Sequence, residues 1–260
     1  MTLKSNIFFM KTLLFTSLVL ISGCGYNKWS QPIVSFSATA PATFDSISTL
    51  YTTSNSIHIM QEQAVLVDQY SVSNFKPNQI TNFISDKDLL IRTNSLASLK
   101  TYAAALESIV NPTVAIPALP SSIVEPTIST AQKNTGQELG IAAGQLNNIT
   151  TQFLHKRARH DLPKIIKTAD PLVQQFVVLF VLDLTDLKQQ EKNDYESVLI
   201  YQSQFIQNNQ DKMSAVEKRT EIEKLAQIEK DALTAQANLD SAINNIQKLA
   251  VIHHQLAGEK

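Results

Sequence analysis

Residues able to carry chemistry are few in this chain, and their spacing excludes several kinds of site. The five histidines are His58, His155, His160, His253 and His254; only His58 has a histidine or carboxylate at the i, i+4 spacing, Glu62, and one such pair falls short of the ligand set of a helical metal site. No GxSxG, HExxH, GxxxxGK[ST] or GxGxxG pattern occurs, so neither a nucleophile elbow, a zinc protease helix nor a phosphate-cradling loop is expected. No metal or cofactor is expected either, and the chain reads as a protein without catalytic activity. Two surface features remain as candidates. His155 to Lys167 holds Lys156, Arg157, Arg159, Lys164 and Lys167 against Asp161 alone, a patch for an anionic ligand, a lipid headgroup or an acidic partner. Its competing reading is a set of solvated cations complementing the dipole of a helix C-terminus. Gly136, Gly140 and Gly144 recur every four residues, which aligns them on one helix face for close packing or self-association.

The single cysteine, Cys24, has a context of its own. Lys4 and Lys11 flank a short apolar stretch, Leu13 to Ile21 follows without charge, and Ile21-Ser22-Gly23-Cys24 comes next. Roughly nine apolar residues fall far short of the ~20 that span a bilayer as a helix. The order of charge, apolar run, small residues and cysteine resembles the signal peptide and lipobox of bacterial lipoproteins. That resemblance covers about the first 25 residues. It implies removal of 1–23, lipid attachment at Cys24 and a place in the cell envelope. Gly25, where an aspartate would imply retention at the inner membrane, implies outer-membrane delivery facing the periplasm in a Gram-negative host. Met10 is an alternative start, since MKTLLFTSLVLISGC contains all these parts.

Without 1–23 the chain keeps 20 basic and 23 acidic residues, a net charge of −3 that gives no signal for nucleic acid. With its cysteine used by lipid, stability must come from packing. Residues 24–41, rich in Ser, Thr, Ala and Pro, are expected to form a flexible tether reaching at most ~60 Å.

Residues 42–257 are expected to form the folded part. Helical spacing runs through Leu50, Ile57, Met60, Ala64 and Val67, and then through Leu89, Leu96, Leu99, Ala103, Leu106 and Val110, a stripe broken by Arg92. Asn111-Pro112 ends the second helix, and four prolines between 112 and 126 make a stiff crossover at about 111–126. Leu139, Ala142, Leu146, Ile149 and Phe153 mark a third helix. A fourth is expected to open at Asp170-Pro171 as cap and first-turn proline. The last carries Leu225 to Leu256 on a heptad seam that includes His253, which is expected to be partly solvated. The fold class is therefore all-α: an elongated bundle of about five long, mostly antiparallel helices.

The expected function is that of a membrane-anchored envelope protein acting as a structural or interaction module, through a protein partner or self-association. The alternative, a membrane-perturbing protein, rests on the apolar segment Leu172 to Leu184.

Overall fold

The structure, a computed structural model, describes residues 27–69, 80–120, 133–156 and 161–258. Helices make up 89% of these and none is in a strand, so the protein is an all-α bundle. Its helices are α1 (Asn27–Gln69), α2 (Asp86–Val110), α3 (Lys133–Lys156), α4 (Leu162–Asn209) and α5 (Ala215–Gly258). At 1.5 Å per residue, the 48 residues of α4 extend about 70 Å, and the bundle is elongated.

The largest departure from expectation is at the start of α1. The tether expected over 24–41 is helical from Asn27 onward, and Ile33, Phe36 and Ala40 are buried in the core with Phe44 and Ile47. Pro32 and Pro41 lie inside the helix, at a cost of about 3 kcal/mol each. Burying the four large side chains contributes about 1.5–3 kcal/mol apiece, enough to offset both prolines. The signal was the three-and-four spacing of 33, 36, 40, 44 and 47, which the proline-rich composition outweighed in the sequence reading.

The second boundary to move is that of α4. It opens at Leu162 with Pro163 in the first turn and runs through Pro171 without a break. Asp170 is therefore an interior, buried residue rather than a cap. α2 ends before Asn111-Pro112 as expected and starts after Ser85, its N-cap, which accepts from the Asp88 amide. α5 starts in a reciprocal capping box: the Ser214 amide donates to Glu217 Oε2 at 2.8 Å and the Glu217 amide to Ser214 Oγ at 3.3 Å.

Side-chain contacts give the directions. Asp45 meets Lys100 and Asn55 meets Ile84, so α1 and α2 are antiparallel. Asp170 meets His253 and Lys188 meets Asp240, so α4 and α5 are antiparallel as well. Tyr51 meets Asp183 and His58 meets Asp194, so α1 and α4 run parallel. Near its start α3 places Gly136 beside Arg92 of α2, so α2 and α3 run parallel, as the crossover between them requires. Residues 111–120 of that crossover are non-helical, while 121–126 lie outside the described residues.

The core is unevenly distributed. One large cluster joins all five helices, and a second, small one comprises Ile57, Tyr195 and Ala235. Beyond Ile57 in α1, beyond Val198 in α4 and before Ala235 in α5, no described side chain of these helices is buried. Val67, Ile200, Phe205, Val216, Ile222 and Leu233 are exposed there. About 30 Å of α5 is thus held in a tip with no sealed core.

Candidate functional site: buried polar layers along α4

Every third or fourth residue of α4 from Asp170 to Val198 faces the core: 170, 173, 177, 180, 184, 187, 191, 194 and 198 are all buried. Three of these positions carry acids, and Asp183 beside Leu184 is a fourth. Burying a carboxylate is costly unless it is paired and hydrogen-bonded, so each acid must be met by a partner from another helix.

The first layer is built on Asp170. Its Oδ1 lies 2.9 Å from His253 Nδ1 and its Oδ2 lies 2.8 Å from His254 Nδ1. Gln174 Nε2 donates to Asp170 Oδ1 at 3.1 Å and to the Ala250 carbonyl at 2.9 Å. The other face of the His253 ring meets α2, with Nε2 2.9 Å from the Tyr102 hydroxyl. Because Nδ1 faces a carboxylate, it carries the proton, and Nε2 accepts from the phenol. Phe36 of α1 closes the layer edge-on, its ring centroid 5.3 Å from that of His253. Burial by itself would raise Asp170, but the hydrogen bonds from His253, His254 and Gln174 prevail and hold it below the ordinary carboxylate value. Burial pushes His253 down against the opposing pull of Asp170.

The order acid, histidine, hydroxyl is that of a nucleophile relay. Tyr102 is poorly suited to that task, being fully buried with its ionisation pushed up by burial and by the charge of Asp170. His253 is itself wholly enclosed, which corrects the expectation that it would be partly solvated.

The second layer is an ion pair. Arg92 Nε and Nη2 each donate to one oxygen of Asp183 at 2.7 Å, and the Tyr51 hydroxyl donates to Oδ2 at 2.6 Å. The guanidinium also lies 5.6 Å from the Tyr51 ring centroid, within cation–π range. Burial opposes the charge on Arg92, but the hydrogen bonds and charge of Asp183 more than compensate and raise its affinity for the proton. Arg92 therefore belongs to the buried stripe of α2 that it was expected to break. Gly136 faces this layer, where an added Cβ would stand 3.5 Å from Arg92 Nη1.

The third layer joins α1 and α4. Ser54 Oγ is hydrogen-bonded to Glu191 Oε1, His58 Nδ1 lies 3.1 Å from Asp194 Oδ2, and Gln190 donates to Asp194 Oδ1 at 2.9 Å. Glu191 Oε2 is buried with no hydrogen-bond partner. Burial raises Glu191 against the Ser54 bond, with the Asp194 charge adding to the rise. Burial likewise raises Asp194, opposed by His58.

The residues singled out from sequence fall elsewhere. Gly136 and Gly140 are buried and Gly144 is half-buried, so this face packs inside the bundle. Lys156 ends α3, while Arg157 and Arg159 lie outside the described residues, as does Cys24. Lys164 and Lys167 are exposed in the first turns of α4. Cations there oppose the helix dipole, so the helix C-terminus reading of the patch does not extend to these two. Among the described residues no group of three or more His, Cys, Asp or Glu is arranged to hold a metal. A groove of about 850 Å³ runs between α4 and α5 past Lys192, Tyr195, Leu199 and Leu233, and one of about 430 Å³ lies at the tip beside Val67, Tyr201 and Phe205. Neither is lined by Asp170, Asp183 or His253.

The polar layers are hidden in the sequence because acids are ordinarily solvated and do not mark a core register. Position alone would have found them: Asp170, Glu191 and Asp194 fall on the same three-and-four repeat as Val173, Phe180 and Leu187. No protein-family model matches the chain, and neither do curated proteins or solved structures. The class that fold and layers define is an elongated α-helical bundle with buried polar cross-links.

Proposed function

We propose that this protein is a lipid-anchored, non-catalytic component of the cell envelope, in a Gram-negative host on the periplasmic side of the outer membrane, and that it contacts a protein partner through its distal tip. The N-terminal pattern ending at Cys24 supports the anchor. With α1 starting at Asn27, a lipidated Cys24 can lie at most about 10 Å from the rod, so the end formed by the start of α1 and the end of α5 faces the membrane. The hairpin of α4 and α5 then points away. The observation that carries the reading is that tip, three helices long enough to need a core yet without a buried side chain, exposing Phe205, Ile222 and Leu233. Large apolar side chains left exposed where three helices meet without a core are the surface from which a contact site is built.

Photo-crosslinking amino acids placed at Phe205, Ile222 and Leu233 test this in cells. Discrete adducts from these positions, absent from the exposed proximal positions Val34 and Val251, are expected; equal or no crosslinking from the tip overturns the reading.

One observation favours a second reading, membrane perturbation. Among the described residues, α4 is the one helix long and apolar enough to cross a membrane by length and composition. Val173, Phe176, Val177, Phe180 and Leu184 are buried in the core, so insertion would require α4 to leave the bundle. Dye release from liposomes that disappears on substituting Phe176 and Phe180 supports this reading; none under any lipid or pH condition removes it.

A further inference from the structure

We propose that Asp170, His253 and Tyr102 form a proton-operated latch that clamps the C-terminal end of α5 onto α4 and α2 and releases it on acidification. His253 stands five residues before the end of a helix. The last carbonyls of any helix lack helical partners, so terminal turns fray unless tertiary contacts hold them. Here Leu249, Ala250 and Leu256 pack into the core, and polar contacts that converge on one ring are added to them: Nδ1 to Asp170 and Nε2 to Tyr102, both at 2.9 Å. Gln174 adds a tie from Asp170 to the Ala250 carbonyl. Among the described residues Leu256 is the one buried residue beyond the ring, and Gly258 has open space around it.

The bond from Tyr102 requires a neutral imidazole, whereas Nδ1 donates to Asp170 in either charge state. The phenol donates to Nε2, and when that nitrogen gains a proton the two hydrogens point at each other. Tyr102 must then turn its O–H away, and it is fully buried with His253 as its one hydrogen-bond partner among those described. The titratable groups facing His253 are Asp170 from α4, Tyr102 from α2 and His254 beside it on α5. From α1 comes the uncharged ring of Phe36. Asp170 attracts an imidazolium, yet its oxygens are already shared with His254 and Gln174, and His253 is wholly enclosed. The latched ring is therefore a weaker base than the released one.

The sign follows by linkage. A histidine whose closed-state value lies below the ordinary ~6.5 favours the latched form above that pH. Below it, the ratio of released to latched molecules rises by up to about tenfold per pH unit, until the closed-state value is reached. His254 has no such role: its Nδ1 donates to Asp170 in either charge state, and its side chain is 74% exposed.

Hydrogen exchange of the full chain, followed by mass spectrometry and corrected for intrinsic rates, tests the latch between pH 7.5 and 5.5. Amides of 249–258 should lose protection by up to about tenfold per unit below pH 6.5 while those of 239–246 keep theirs. Unchanged protection at the end, or equal loss along all of α5, overturns the proposal. His253→Gln should remove the pH dependence and His254→Gln should retain it; the reverse pattern moves the switch to His254 and refutes the assignment. If His253→Gln fails to fold, an NMR titration of the two rings in the wild type decides. A His253 midpoint below the ordinary ~6.5 supports the latch, and one at or above it refutes it.

Discussion

The Arg92–Asp183 pair can be taken apart in a way that separates its cost from its coupling. Arg92 is 2% and Asp183 5% exposed, so substituting either leaves a full charge in the core with fewer partners. Arg92→Met leaves Asp183 with the Tyr51 hydroxyl, while Asp183→Leu leaves Arg92 with the Asp88 carbonyl at 3.2 Å. Breaking a buried pair from one side costs about 3–5 kcal/mol, whereas replacing both charges with apolar groups of similar volume is often neutral or stabilising. Arg92→Met and Asp183→Leu should therefore each destabilise by about 3–5 kcal/mol, and the double variant should recover most of the loss. The coupling, several kcal/mol of opposite sign to the sum of the single effects, is read from urea unfolding midpoints of the four proteins. Tyr51→Phe removes one hydrogen bond to a charged group and should cost about 1.5–3 kcal/mol. Single variants that each lose under 1 kcal/mol, or a double variant whose loss equals the sum of the two, would refute a desolvated pair linking α2 to α4.

Three further outcomes are expected. Gly140→Ala should destabilise by about 1–3 kcal/mol, because a methyl enters a buried face; a gain near the ~1 kcal/mol propensity difference would show that the face has room. Glu191→Gln should stabilise the protein more at pH 7.5 than at pH 4.5. The raised Glu191 favours the folded state only while protonated, and that contribution is full below its unfolded value of about 4.5 and is lost as pH rises through the higher folded value. An advantage of the variant that is equal at both pH values in chemical unfolding contradicts this. Cys24→Ser should yield an unprocessed precursor that takes up no labelled fatty acid; label in the variant, or none in the wild type, refutes the anchor.

The apolar spacing of α2, α3 and α5 was enough to place those helices. Repeats such as Leu139, Ala142, Leu146 and Phe153, or Leu239, Ala242, Ile246 and Leu249, have one low-energy arrangement, a helix with that stripe inward, and all of these residues are buried. The all-α class, the number of helices and the non-helical stretch 111–120 after α2 follow from periodicity and breakers alone, because these are local properties of the chain. Proline was a misleading guide at residues 32, 41 and 171. Its cost is local, but the burial of Ile33, Phe36 and Phe44 that offsets it depends on helices far away in sequence. The pairing of charges was decided by the tertiary structure in the same way. A sequence shows that Asp170, Asp183 and Glu191 fall on or beside the core register of one helix, but not that His253, Arg92 and Ser54 are the groups that meet them. Those partners lie 83, 91 and 137 residues away, and which helix faces which at what height is set by the packing of all five. The burial of His253, and with it the proton sensitivity of the end of α5, exists only in that packing.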